Sequence, residues 1–147
     1  MWELVLPALI GAGSSIAVLL LPRVWDSRSV QRERRQAWVA ALLDTGLLGE
    51  LEYSAGTLPD SQRLAELLDM VPTPSAAENL AASLKLSTAA YAARRQVGDL
   101  YGLRVSETIA GRPFSDTADN AIAAFNDRLV RWARTGRRLN RLYQPSR

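Results

Sequence analysis

The chain of 147 residues contains no cysteine and no histidine. The lack of thiols excludes disulfides, thiolate zinc sites and cysteine nucleophiles, and the lack of imidazole excludes every catalytic scheme that depends on it. The sequence also has no Gly-x-Ser-x-Gly motif, no phosphate-cradling glycine loop and no ordered acidic cluster. We therefore expect a protein that is not an enzyme and that holds no cofactor and no metal.

Lysine is nearly absent, because Lys85 accompanies seventeen arginines among the 18 basic residues. The 15 acidic residues leave a net charge of only +3, and 48% of the residues are hydrophobic. This balance is typical of a folded chain and not of a disordered one. The length suits one domain beside a short additional segment.

The longest uncharged stretch lies near the start of the chain, from Leu4 to Pro22. At about 1.5 Å per helical residue, this stretch reaches roughly 28 Å, close to the ~30 Å hydrocarbon core of a bilayer. Trp2 and Trp25 lie at its two ends, where indole rings prefer the membrane interfaces. The pattern predicts a transmembrane anchor at residues 1–25, followed by a cytoplasmic domain at 26–147.

Two other interpretations of this stretch exist. A cleaved secretory signal would need a basic start and a small-residue cleavage site, and neither is present. A helix buried in protein, within an oligomer for example, would accommodate the glycines and serines of the segment.

Gly11 and Ser15 lie four residues apart, a spacing that lets two membrane helices pack closely, although small residues are also common in such helices by chance.

Positive charge is found on only one side of the predicted anchor. No Lys or Arg precedes it, and five arginines follow within a short distance: Arg23, Arg28, Arg32, Arg34 and Arg35. Because basic flanks are retained in the cytoplasm, we expect a single-pass protein of the cell membrane with its N-terminus outside. With Trp2 and Trp25, these arginines form the predicted membrane flank. They either contact anionic lipid headgroups or form a solvated helix face.

The rest of the chain has the apolar periodicity and the punctuation of helices. We expect helices from about 27 or 29 to 53, from 60 to 71, from 76 to 110 and from 115 or 116 to 143. In the third of these, the predicted core stripe is Leu80, Leu84, Thr88, Tyr91, Arg95, Gly98, Gly102, Val105 and Ile109. The predicted fold is all-α: a transmembrane helix followed by an antiparallel bundle of three longer helices and one short one.

The last predicted helix carries a seven-residue apolar repeat together with a run of positive charge. Leu129, Trp132 and Leu139 are the helix-packing candidates of this repeat. No acidic residue follows Asp127, so the arginines beyond it form a basic arm that attracts polyanions. The polyanion-binding candidates are Arg131, Arg134, Arg138 and Arg141. Anionic lipid, nucleic acid and a merely solvated face are the three alternatives for this arm.

The opening of the chain also carries a resemblance. The arrangement of Trp-x-x-x-x-Pro-Ala-Leu-Ile-Gly, then Leu-Leu-Leu-Pro-Arg, then Gln-Arg-Glu-Arg-Arg-Gln-Ala-Trp resembles uncharacterised actinobacterial single-pass membrane proteins with an Arg-rich juxtamembrane helix. The resemblance covers about the first quarter of the chain. It implies an anchor and no activity, and no residue role follows from it.

The sequence therefore predicts a non-enzymatic, membrane-anchored interaction or scaffold module whose partners are anionic lipid headgroups and a protein or second copy bound through helical faces. The alternative is a soluble or assembly-embedded helical protein whose basic arm binds nucleic acid.

Overall fold

A computed structural model describes residues 27–53, 60–74, 80–113, 115–137 and 139–145. Helix α1 occupies 27–44 and is followed by α2 (Leu47–Tyr53), α3 (Ser61–Asp69), α4 (Leu80–Ile109), α5 (Asp116–Thr135) and a short 3-10 turn (Leu139–Arg141). The described residues contain no strand, so the all-α prediction is confirmed there. The predicted anchor, with Trp2, Gly11, Ser15, Arg23 and Trp25, lies outside the described residues.

None of the helices in the described part of the chain combines the length and the apolar character that crossing a bilayer requires.

The helices pack around one core, with α1 and α4 running in the same direction and α5 running opposite to both. Trp38 of α1 meets Trp132 of α5 edge to face, with ring centroids 5.9 Å apart. The Trp38 indole also donates a hydrogen bond to the carbonyl of Pro72, just after α3. Leu42, Phe125 and Leu129 are fully buried beside this pair. Aromatic packing of this kind adds to the stabilisation from burial alone.

Helix boundaries follow the local chemistry of caps and prolines. Asp60 and Ser115 cap α3 and α5, because their side chains accept hydrogen bonds from the backbone N–H groups of Gln62 and Ala118. These satisfy donors that the first turn of a helix leaves unpaired. The predicted starts of the two helices are confirmed within a residue.

Two expected helices end earlier than the periodicity suggested. Gly46 has a φ of 76° and separates α1 from α2, where one helix to residue 53 was expected. Gly136 has a φ of 62° and ends α5 at Thr135, eight residues before the predicted end. Left-handed glycines commonly end helices, because no Cβ opposes that conformation. The predicted continuation of the α5 repeat through Gly136 to Tyr143 was therefore wrong.

The predicted core stripe of α4 was also wrong at most of its positions, and among its described side chains Val105 is the one that lies in the core. Leu84, Tyr91 and Ile109 are among the exposed large hydrophobic residues of the described chain. The buried face consists instead of Ala82, Leu86, Ala89, Ala90, Ala93, Gln96, Val97, Leu100, Tyr101, Arg104 and Val105. Small residues on this face let the neighbouring helices approach α4 closely.

Candidate anion-binding site

Three helix segments meet at one end of the bundle: the first described turns of α1, the first described turns of α4 and the end of α5. Arg34 and Arg35 of α1 line a small cleft with Lys85 and Leu86 of α4. The Arg35 Nε also donates a 3.4 Å hydrogen bond to the carbonyl of Ala133 on α5. Segments that are far apart in sequence therefore place their basic residues side by side.

We call this region the basic end and define it by segments 27–38, 80–88 and 127–145. It contains two acidic residues, Glu33 and Asp127. Its basic residues with described side chains are Arg28, Arg32, Arg34, Arg35, Lys85, Arg128, Arg131, Arg134, Arg137 and Arg141. Such an excess of one sign produces a positive potential over this end.

The remainder of the described domain has the opposite balance. It holds five basic residues and ten acidic ones, the latter being Asp44, Glu50, Glu52, Asp60, Glu66, Asp69, Asp99, Glu107, Asp116 and Asp119. All the ion pairs found between described residues lie there, and they are formed by Arg63, Arg104 and Arg112. Three of the five basic residues away from the basic end are thus paired with carboxylates, whereas the arginines at the basic end make no ion pair with a described carboxylate.

The predicted flank arginines do not share one environment. Arg28 and Arg32 are exposed, while Arg34 and Arg35 are half-buried. Burial, and secondarily the charge of Arg32, lower the pKa of Arg35 from its ordinary value. The guanidinium of Arg35 is therefore engaged with the end of α5, and Arg28 and Arg32 are the two that face solvent.

The predicted polyanion-binding residues separate into two groups. Arg131 and Arg141 line an open groove of about 490 Å³ between the last turns of α5 and the C-terminal segment. Arg134 is exposed on α5 outside that groove. The backbone at Arg138 lies outside the described residues. Of the predicted helix-packing residues, Leu129 and Trp132 are buried in the core and Leu139 packs against its edge.

Sequence reasoning left Arg128 and Arg137 out of the proposed site, although both line the same groove. They meet Arg131 and Arg141 because the chain reverses at Gly136 and the segment after it folds back onto α4. The backbone N–H of Gln144 donates to the Gln96 side chain at 2.7 Å, and Leu142 is buried. Gly136, with Arg134 in the turn before it, was the signal in the sequence for the end of α5 at this point.

Aromatic side chains at this end are already engaged. Trp132 is 3% exposed and packs on Trp38. The Tyr143 ring lies under the guanidinium of Arg95, 4.3 Å from its centroid, and the Tyr143 hydroxyl accepts a hydrogen bond from Arg95. Trp132 therefore presents no open face for stacking with a nucleic-acid base, and Arg95 already covers one face of Tyr143. The groove thus offers cationic donors without a stacking platform.

No protein-family model, no curated protein and no solved structure matches this chain.

Proposed function

We propose that this chain is a non-enzymatic interaction or scaffold module of the cell membrane, anchored by residues 1–25, with the N-terminus outside and a cytoplasmic helical domain whose basic end faces anionic lipid headgroups. The observation that supports it is that the basic end includes the first described turns of α1, which directly follow residues 1–26 in the sequence. A domain held at that point would present this end, and not the acidic remainder, to the membrane surface.

Electrostatics favours the same orientation. Each Lys or Arg close to an anionic leaflet contributes about 1 kcal/mol of attraction, and the attraction declines within a Debye length. The basic end supplies several arginines without ion-pair partners among the described residues. The acidic remainder would be repelled by the same surface. The domain therefore has one favourable way to approach an anionic bilayer.

The test measures binding of a chain that begins at Ser27 to vesicles, so that attraction is separated from anchoring. The core residues from Trp38 to Leu142 all lie in this part of the chain. We expect binding to vesicles that contain phosphatidylglycerol, weak binding to phosphatidylcholine vesicles, and loss of binding as salt is raised. Equal binding to both vesicle types would contradict the proposal.

A matched pair of variants makes the test specific to the basic end. Arg32→Gln with Arg131→Gln removes two positive charges there and should lower vesicle binding about tenfold or more. Arg63→Gln with Arg112→Gln removes the same charge from the opposite part of the domain and should have little effect. If the two double variants behave alike, net charge and not the basic end determines binding.

A further inference from the structure

The groove beside α5, which we call the arginine groove, is more than a charged surface because its walls are built from two segments. Arg128 and Arg131 come from α5, and Arg137 and Arg141 follow the reversal at Gly136. Trp132 and Leu142 contribute apolar surface, and Gln144 adds a polar side chain. Asp127 is the acidic residue among those that line the groove. The four arginines leave a clear excess of positive charge.

Arg128 shows that this charge is held at a cost. Its side chain is half-buried, with the guanidinium carbon 6.0 Å from the centroid of the Phe125 ring. Its Nη1 donates a long hydrogen bond of 3.4 Å to the Gln144 side-chain oxygen. The Nε is buried and has no hydrogen-bond partner among the described residues. Burial lowers the pKa of this guanidinium from its ordinary value.

A partly desolvated cation with an unsatisfied donor is unfavourable unless an anion compensates it. No described carboxylate forms an ion pair with Arg128, Arg131, Arg137 or Arg141. Asp127 also lines the groove but forms no ion pair with any of these arginines. Its single negative charge reduces the attraction of the groove for an anion without cancelling it. An external anion would therefore remove an electrostatic cost that the folded domain leaves uncompensated.

Phosphate is an anion that guanidinium groups bind well. Guanidinium groups bind phosphate oxygens through paired N–H donors, and they do so more specifically than ammonium groups. A single phosphate carries at most about two negative charges near neutral pH, so it compensates only about half of the charge of four guanidinium groups. Two phosphates joined through a short linkage could be shared by both walls. The groove volume also lies within the range of small-ligand sites.

We propose that the arginine groove binds one ligand that carries two neighbouring phosphate groups, either a diphosphate-bearing lipid headgroup or a soluble diphosphate. This inference deepens the proposed function by naming the anion that the basic end recognises. The lipid headgroup as the source of that anion rests on the proposed function.

The experiment titrates the full chain, held in neutral detergent micelles, with inorganic pyrophosphate and with orthophosphate in a calorimeter at fixed salt. Saturable binding of one pyrophosphate, tighter than that of orthophosphate, is expected. Arg131→Gln should weaken pyrophosphate binding about tenfold or more, because it removes charge-assisted hydrogen bonds. Arg128→Gln should weaken it similarly, with far-ultraviolet circular dichroism showing that the helices remain.

Arg134→Gln is the matched control, because Arg134 lies on the same helix and carries the same charge but does not line the groove. Its effect on pyrophosphate binding should be small. Equal weakening by Arg131→Gln and Arg134→Gln would overturn the proposal, since diffuse charge would then explain the binding. Tighter binding of duplex DNA than of pyrophosphate, with the same sensitivity to Arg131→Gln, would overturn it in favour of nucleic acid.

Vesicles distinguish the two sources of the diphosphate. Preference for vesicles of a lipid with two phosphates over singly phosphorylated lipid at equal surface charge, reversed by pyrophosphate, supports the headgroup. Pyrophosphate binding without this preference supports a soluble diphosphate. Absence of saturable pyrophosphate binding would overturn the groove as a diphosphate site. The proposed function would survive that result if the protein still bound anionic vesicles in a salt-dependent way.

Discussion

The guanidinium of Arg35 occupies the space beside Gly136 that a side chain there would need. A Cβ built on Gly136 would lie 2.7 Å from Arg35 Cζ and 2.8 Å from its Nη1. The contact joins the start of α1 to the end of α5, where unpaired carbonyl groups favour a nearby cation. It explains why Arg35 is half-buried although Arg28 and Arg32 on the same helix are exposed.

Gly136→Ala should therefore lower the free energy of unfolding by about 1 kcal/mol or slightly more, because an L-residue is strained at this positive φ. Displacing the flexible Arg35 side chain adds little to that cost. Gly98→Ala and Gly102→Ala are the controls, since a Cβ at either helical position meets nothing within 4 Å. Each should stabilise the protein by about 0.5–1 kcal/mol. Chemical denaturation of the three variants checks that the free energy of unfolding falls for Gly136→Ala and rises for the two controls.

The two faces of α4 should respond very differently to truncation. Leu86→Ala and Leu100→Ala remove buried side chains, so each should cost about 2–5 kcal/mol. Leu84→Ala removes a side chain that is 59% exposed and should change stability by less than about 0.5 kcal/mol. A large loss of stability for Leu84→Ala, measured by denaturation, would contradict the buried face described above and would favour the stripe expected from the sequence.

That stripe was misplaced for a physical reason. Periodicity is read from large apolar residues, and α4 has a leucine or tyrosine on several sides, whereas the first half of its true packing face, from Ala82 to Ala93, is built largely from alanine. Alanine buries little area and gives a weak signal, yet it permits close helix packing. The helix starts at Asp60 and Ser115 were easier to predict, because capping depends on local hydrogen bonds that the sequence itself specifies.

Only the positive charge of the candidate site could be predicted from the sequence, and not the arrangement of its residues. A run of arginines after Asp127 indicated an anion-attracting arm, and a second cluster followed the predicted anchor. Their convergence depends on the direction of α5 relative to α1 and on the reversal at Gly136, which are properties of tertiary packing. Arg128 and Arg137 could not be assigned to one groove while the last helix was expected to continue straight through that glycine.

The buried arginine of α4 makes a third prediction possible. Arg104 is 2% exposed, forms an ion pair with Asp119 of α5 and donates its Nε to the carbonyl of Leu51. Removal of one partner of a buried pair leaves the other uncompensated. Asp119→Asn should cost about 1–2 kcal/mol, a modest value because the carboxylate is half-exposed. Asp116→Asn, on the same turn without an ion pair to a described residue, is the control in thermal unfolding.

Anchoring gives a fourth prediction. The full chain should stay in the membrane fraction after carbonate or high-salt washing, whereas a chain that begins at Ser27 should be released by high salt. A C-terminal reporter that works only in the cytoplasm should be active. Replacing Arg23, Arg28, Arg32, Arg34 and Arg35 with Gln and adding Lys before Trp2 should weaken or reverse that orientation. Release of the full chain by either wash would contradict the anchor.

The last prediction separates folding from ligand binding at the basic end. Arg131, Arg134 and Arg141 form no ion pair with a described carboxylate, so Gln at these positions and at Arg138 should leave the helical content and the free energy of unfolding nearly unchanged, or raise the latter slightly by relieving repulsion. The same variant should bind anionic vesicles much more weakly than the parent.

Trp132→Ala should do the reverse. Its ring is buried against Trp38, so truncation should cost about 3–5 kcal/mol while the arginines keep their charge. Denaturation and vesicle binding, measured on both variants below the unfolding midpoint of each, check this separation. If the four-Gln variant unfolds as readily as Trp132→Ala, the arginines stabilise the bundle itself. Their clustering at one end would then follow from folding and would give no reason to expect an anion there.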